Sequence, residues 1–159
     1  MSQPYVAVVG AGAATAEEQR VAEEVGRGLA EAGAVVVCGG LGGVMEAACR
    51  GAKAGGGATV GILPGASRSD ANRYVDVALA TGLGEMRNGL VVRAADALVA
   101  VGGEFGTLSE IALALKAGKP VVGLGTWELS RAGAGVDAIV RAASPEEAVR
   151  RVLAACALP

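Results

Sequence analysis

Short apolar runs alternate along the chain with longer segments in which apolar and charged positions recur at helical spacing. Tyr5-Val-Ala-Val-Val9, Val35-Val-Val-Cys38, Thr59-Val-Gly-Ile-Leu63, Tyr74-Val-Asp-Val-Ala-Leu-Ala80, Ala97-Leu-Val-Ala-Val101 and Pro120-Val-Val-Gly-Leu124 predict six strands. Residues 137–143 are a candidate seventh. Between them, residues 15–32 place Val21, Val25 and Leu29 on one helical face, and residues 44–54, 85–95 and 111–117 read as further helices. A last helix starts at Ser144-Pro-Glu-Glu147, with a capping serine, proline at its first position and two acids in its first turn. The most polar stretch, residues 66–73, reads as the crossover into the second half, with a flap over a ligand as the alternative. No element is assigned to residues 125–135.

Strands that are apolar throughout suit a parallel sheet covered on both faces. The unit βαβαβ is complete by residue 63, and the same alternation then continues. The expected fold is therefore α/β: a Rossmann-like, doubly wound, mostly parallel sheet of six or seven strands with helices on both faces. Residues 1–159 are expected to form a single nucleotide-binding domain, since no boundary or longer repeat interrupts the pattern.

In such a sheet every strand's carboxyl end lies on the same edge, so the turns that follow strands face one another there. Three glycine-rich turns follow strands and precede helices: Gly10-Ala-Gly12, Gly39-Gly-Leu-Gly-Gly43 and Gly102-Gly-Glu-Phe-Gly-Thr107. Free N–H groups at the next helix's start, the helix dipole and close backbone approach at glycine make such a turn an anion site. Gly10 and Gly12, then Gly39, Gly40, Gly42 and Gly43, then Gly102, Gly103, Gly106 and Thr107 are the candidate phosphate- or ligand-binding positions. Glycine makes up 26 of 159 residues, so the shared edge carries more weight than any one turn. Neither a Walker lysine pattern nor a complete G-x-G-x-x-G occurs, which disfavours a nucleoside triphosphatase or a standard dinucleotide site.

Composition narrows the chemistry. With no histidine, a Ser-His-Asp or Cys-His relay and an imidazole-ligated zinc are out of reach, and no metal site is expected. Cys38, Cys49 and Cys156 never form CxxC and read as small buried hydrophobes in a reducing compartment. A net charge of -2 without a basic run, and an aromatic content of 3%, argue against nucleic-acid or membrane-surface partners. A strand beginning by Tyr5 leaves no space for a signal peptide, so the expected location is cytoplasmic.

Two side chains stand out. Thr107-Leu-Ser-Glu110 has the spacing of a capping box, as do Thr15–Glu18 and Ser144–Glu147. Glu110 alone lies in a glycine turn at the crevice, where a carboxylate could hold a ribose hydroxyl or steady a developing cation. Arg87 falls in the first turn of the predicted helix, where the dipole disfavours a cation, so an anionic partner is one reading and a surface pair with Glu85 the other.

Together these residues resemble the LOG-like family, whose signature is an arginine after a methionine, then a strand, then PGGxGTxxE. Met86-Arg87 lies nine residues before Asp96, and Gly102-Gly-Glu-Phe-Gly-Thr-Leu-Ser-Glu110 stands where PGGxGTxxE would. Cys38-Gly-Gly-Leu-Gly-Gly-Val-Met-Glu46 and Val60-Gly-Ile-Leu-Pro64 are similar to the family too, so the resemblance runs from residue 5 to about residue 125. It implies a phosphoribohydrolase, cleaving the N-glycosidic bond of nucleoside 5′-monophosphates to free base and ribose 5-phosphate. Gly103, Gly106 and Thr107 would then bind the phosphate, Glu110 would stabilise the oxocarbenium-like ribose or orient the water, and Arg87 would assist. No cofactor is required for that reaction, and a homo-oligomer, dimer or tetramer, is implied. Gly102, Glu104 and Asn88 depart from the family's proline, glycine and lysine. They point to a side branch that includes molybdenum-cofactor carrier proteins, which bind a pterin phosphate without hydrolysing it. The sequence thus supports a nucleotide-phosphate binder on a hydrolase framework, with a carrier of a nucleotide-like ligand or molybdenum cofactor as the alternative.

Overall fold

The computed structural model describes residues 2–157. In chain order the elements are β1 Tyr5–Gly10, α1 Ala16–Glu31, β2 Val35–Cys38, α2 Val44–Ala54, β3 Thr59–Leu63, β4 Val77–Ala80, α3 Asn88–Ala94, β5 Ala97–Val101 and α4 Phe105–Lys116. They continue with β6 Val121–Leu124, β7 Leu129–Arg131, β8 Ala134–Val136, β9 Val140–Arg141 and α5 Pro145–Cys156. Seven strands form one sheet in the order β4-β3-β2-β1-β5-β6-β9, and every neighbouring pair is parallel. The expected α/β, doubly wound architecture is what the chain adopts. Winding runs outward from β1 to β4, returns to β5 beside β1, and leaves in the other direction. The strand order therefore reverses between β1 and β5, the position where open α/β sheets form their crevice.

Strand alternation sorts the core into two layers. Val6 and Val8 face α1, α2 and α5, where they meet Val25, Leu29, Ala48 and Val152; Ala7 and Val9 face α3 and α4, where they meet Val91, Val92, Ile111 and Ala114. The first layer is unusually tight because α1 and α2 touch through glycines. A Cβ on Gly26 would lie 2.0 Å from the Ala48 carbonyl oxygen, and one on Gly51 would lie 1.9 Å from that of Glu23.

One of the three expected capping boxes forms in full and a second in half. Thr15 Oγ1 accepts from Glu18 N at 3.1 Å and Glu18 Oε2 accepts from Thr15 N at 3.3 Å. Ser144 Oγ accepts from Glu147 N at 3.1 Å, while Glu147 reaches back one residue further, to Ala143 N. The third box, Thr107–Glu110, does not form. Gly102 and Gly103 take φ of +54° and +109°, and this double left-handed turn folds the chain back so that α4 starts at Phe105 with Glu104 as its cap residue. Thr107 is then the third helical residue and Glu110 the sixth, both buried.

Other boundaries differ from the sequence expectation for local reasons. The fourth strand begins at Val77 instead of Tyr74, because residues 72–76 bond to loops and to the start of β3. Asn72 Nδ2 donates to Leu41 O at 2.9 Å, Thr59 Oγ1 donates to Tyr74 O at 2.6 Å, and Asp76 N donates to Thr59 Oγ1 at 2.8 Å. Residues 66–73 lead from β3 to its neighbour β4, so they stay within the first half; the crossover to the second half falls on residues 81–96. The helix expected at 85–95 is a 3-10 turn, Gly84–Arg87, followed by α3. The unassigned residues 125–135 contain most of an antiparallel hairpin, β7 with β8, and the candidate strand at 137–143 shrinks to β9 at the sheet edge. No described helix is long and apolar enough to cross a membrane.

Candidate functional site

At the strand-order reversal, the end of β1, the turn after β5 and the first turns of α2, α3 and α4 line a cavity of about 230 Å³. Gly10 and Gly12 supply one wall, and Gly106, Thr107 and Glu110 on α4 the opposite one. Arg87 and Asn88 close it at the start of α3, with Met45 from α2 beside them. Six of the residues singled out in the sequence thus meet: Gly10, Gly12, Arg87, Gly106, Thr107 and Glu110.

The other glycines act nearby. Gly39, Gly40, Gly42 and Gly43 lie behind the wall and set its shape. A Cβ on Gly43 would be 2.2 Å from Ala11 O, one on Gly39 would be 2.7 Å from Arg87 Nη2, and one on Gly42 would be 3.7 Å from Gly12 O. A Cβ on Gly40 would press on Leu63 at 2.8 Å. Gly102 and Gly103 line an adjoining hollow of about 480 Å³ with Glu18, Thr126, Trp127 and Glu128; Ala11, Ala13 and Glu104 belong to both spaces.

Donors converge on the smaller cavity. Leu108 N is the first α4 amide to bond back, to Glu104 O at 3.0 Å, so the amides of Gly106 and Thr107 keep the free donors of a helix start. The helix dipole adds partial positive charge there. Arg87 is buried; its Nη1 donates to Asn88 Oδ1 and its Nη2 to Gly39 O at 3.4 Å. Its Nε is buried with no acceptor among the described residues. No bond to Glu85 forms, and the reading of Arg87 as half of a surface ion pair is set aside by its burial. Asn88 holds the arginine from the other side: its Nδ2 donates to Ser109 Oγ at 3.1 Å, and that hydroxyl donates to Gly106 O at 2.6 Å. This relay fixes the guanidinium to the first turn of α4.

Glu110 sits deeper, 6% exposed, with the Arg87 charge as its counterweight. Burial pushes its carboxyl up to about 7, and the guanidinium only partly opposes the rise. A group near that value can hold or release a proton at neutral pH. On the rim, the exposed Phe105 ring packs against Trp127 at 5.6 Å between centroids, and Trp127 Nε1 donates to Glu104 O at 3.2 Å.

Sequence reasoning missed Met45 and Asn88 as lining residues, and Glu18 as a wall of the adjoining hollow. One signal was available: Met45 follows a glycine turn by two residues, where a helix's first turn meets the crevice. A larger hollow, about 870 Å³, lies under the β7–β8 hairpin and touches none of the three glycine turns. Among the described residues no three acidic, cysteine or histidine side chains gather in a metal-binding group.

Known proteins resemble this chain in sequence and fold. The chain is 48% identical over 124 residues, 78% of its length and 82% of the relative's, to an uncharacterised protein of Archaeoglobus fulgidus. It superposes on the molybdenum cofactor carrier protein of Chlamydomonas reinhardtii with a TM-score of 0.88 at 36% identity, covering 99% of this chain and 100% of the other. The molybdenum cofactor binding protein of the phototrophic bacterium Rippkaea orientalis matches with a TM-score of 0.86 at 36% identity, over 97% and 98% of the two chains. A family model described as the SLOG cluster4 family matches residues 3–149, and the chain belongs to that family.

Proposed function

We propose that this chain is a carrier that holds a phosphorylated pterin, the molybdenum cofactor, at the β1–β5 crevice and releases it unchanged. The observation that carries the reading is the end-to-end likeness, at 36% identity, to two proteins that hold this ligand. The cavity's chemistry supports it. The free amides of α4 and the Arg87 guanidinium suit a phosphate, and the carboxylates of Glu18, Glu104 and Glu128 in the adjoining hollow suit the N–H edge of an aminopyrimidine. Ligand clefts typically span about 300–1,000 Å³; the smaller cavity, about 230 Å³, holds a phosphate end and reaches that range with the adjoining hollow of about 480 Å³. In this reading the whole chain acts as one ligand-binding domain, and Gly10, Gly12, Gly106, Thr107 and Arg87 contact the cargo.

The assay is anaerobic equilibrium dialysis against cofactor released from a molybdoenzyme, with bound pterin read by fluorescence after oxidation. Retention close to one pterin per chain, abolished in Arg87→Ala, is the expected result. Retention no greater than that of the variant would refute the carrier reading.

A second reading, hydrolysis of nucleoside 5′-monophosphates, is favoured by the presence of Glu110 and Arg87 in one cavity with Thr107. Its chemistry fits this site less well. Cleavage leaves positive charge on the sugar, and a carboxyl shifted to about 7 is half protonated at neutral pH, where the neutral form cannot balance that charge. Glu104 also brings a carboxylate close to the phosphate position. Chromatography of AMP incubations separates the readings: released adenine above the level of an Arg87→Ala, Glu110→Ala double variant would favour the hydrolase.

A further inference from the structure

Cys38 ends β2 and Cys49 lies on α2, and between them runs the glycine turn 39–43. Both thiols are fully buried, with their sulfurs 3.4 Å apart in an S–H···S contact. Gly40 N donates to Cys38 Sγ at 3.3 Å, and the carbonyl oxygen of the next residue, Gly39, accepts from Arg87. No element of the proposed carrier function uses either sulfur. We propose that Cys38 and Cys49 are a dithiol–disulfide site, in which a peroxide oxidant links the two sulfurs and fastens the end of β2 to α2 beneath the ligand cavity.

The spacing carries the argument. A disulfide needs its sulfurs at about 2.0 Å, so the pair must close by little more than the width of one hydrogen contact. The third cysteine, Cys156, lies far along the chain on α5 and takes no part. Charge distribution makes one sulfur the nucleophile. The Cys49 S–H, the Gly40 amide and the Arg87 charge together hold the Cys38 thiol below its ordinary range, while its bond to Cys38 and its burial push Cys49 up. Access runs through the overlying turn, where four of five residues are glycine. Local opening of that turn admits a molecule as small as hydrogen peroxide.

The reaction balances in two steps. Cys38 thiolate attacks one peroxide oxygen, the O–O bond breaks, and the departing hydroxide takes up a proton to leave as water. The resulting sulfenic acid is attacked by Cys49 sulfur; the S–S bond forms, the S–O bond breaks, and the second water leaves with the Cys49 proton. Two thiols have lost two electrons and two protons, and the peroxide has become two waters. A dithiol reductant reverses the change.

Peptide mass mapping of the native full chain tests this independently of any ligand. After hydrogen peroxide treatment, the protein is denatured in acid and alkylated. The expected result is one alkylated cysteine in place of three, with tryptic peptide 28–50, which contains both residues, unalkylated and about 2 Da lighter than its free dithiol form for the two hydrogens lost. Further cleavage after Glu46 should leave two fragments joined until reduction. Cys156→Ser should behave like the wild type, and Cys49→Ala should not form the link. The proposal is overturned if all three cysteines alkylate after oxidation, if Cys38 accumulates as sulfinic acid, or if the only disulfide found involves Cys156. Should Cys49→Ala fail to fold, the wild-type peptide map alone decides. Failure of this test leaves the carrier reading intact, and failure of cofactor retention leaves this one intact.

Discussion

Arg87 Nη2 donates to the carbonyl oxygen of Gly39 at 3.4 Å, joining the start of α3 to the turn after β2, elements 48 residues apart in sequence. The same guanidinium bonds Asn88 and faces Glu110. Three buried groups therefore depend on one side chain.

Replacing Arg87 with methionine keeps the volume and removes the donors. Gly39 O and Asn88 Oδ1 lose their partner, and leaving such groups buried costs about 1–3 kcal/mol. Near pH 8 an uncompensated Glu110 carboxylate adds to that cost. Arg87→Met should therefore lower the urea midpoint, and more so at pH 8 than at pH 5. Equal loss at both values would show that Glu110 does not sense Arg87.

Glu110 sets the pH response. Its carboxyl is raised from 4.5 when unfolded to about 7 when folded, so the native state binds more protons between those values. The protonated form is the one that folds well. Stability contributed by this group is fully present below about 4.5, falls as pH rises through the interval, and is gone above about 7. A shift of that size corresponds to roughly 3 kcal/mol. Glu110→Gln mimics the protonated acid, so it should match the wild type near pH 4.5 and exceed it by up to that amount near pH 8. Chemical denaturation at five pH values reads the difference; parallel curves would rule out the assignment.

Much of this frame was legible from residue order alone. Strands buried on both faces are expected to be apolar, and they are apart from Thr59; Thr15 and Ser144 cap helices as their spacing predicts. Thr107 and Glu110 carry the same spacing without the same role, since the preceding Gly102–Gly103 turn moves the helix cap three residues upstream, from Thr107 to Glu104. Spacing cannot report a left-handed pair of dihedrals. The placement of Met45 and Asn88 beside Arg87, and of Cys38 against Cys49, depends on how α2 and α3 pack across the sheet. The β7–β8 hairpin escaped notice because Ala134, Gly135 and Val136 are exposed and offer no buried stripe.

Gly51 tests the close approach of α1 and α2. Alanine there would put its methyl carbon 1.9 Å from the Glu23 carbonyl, so the helices must separate along their length. A loss of more than about 3 kcal/mol is expected, as in the upper range of overpacking. Gly89→Ala, in α3 with nothing within 4 Å of its Cβ, provides the control. It should be neutral or stabilise by up to about 1 kcal/mol through helix propensity. Similar thermal midpoints for the two variants would contradict the tight helix contact.

Glu104 distinguishes the two ends of the proposed cargo. Its carboxylate lies at the border of the amide-lined cavity and the acidic hollow, so it should repel a phosphate and attract a ring N–H. Glu104→Gln removes one negative charge while keeping the shape. For inorganic phosphate, the lost repulsion at several ångströms is worth about 1 kcal/mol in a partly solvated site, or roughly fivefold tighter binding that fades with added salt. For the pterin phosphate, loss of a charge-assisted acceptor should offset or exceed that gain. Trp127 is the only tryptophan and its indole donates to Glu104 O, so its emission reports occupancy in both titrations. Opposite changes in the two affinities would place the heterocycle beside Glu104; tightening of both by the same factor would put it elsewhere, with the phosphate alone near this residue.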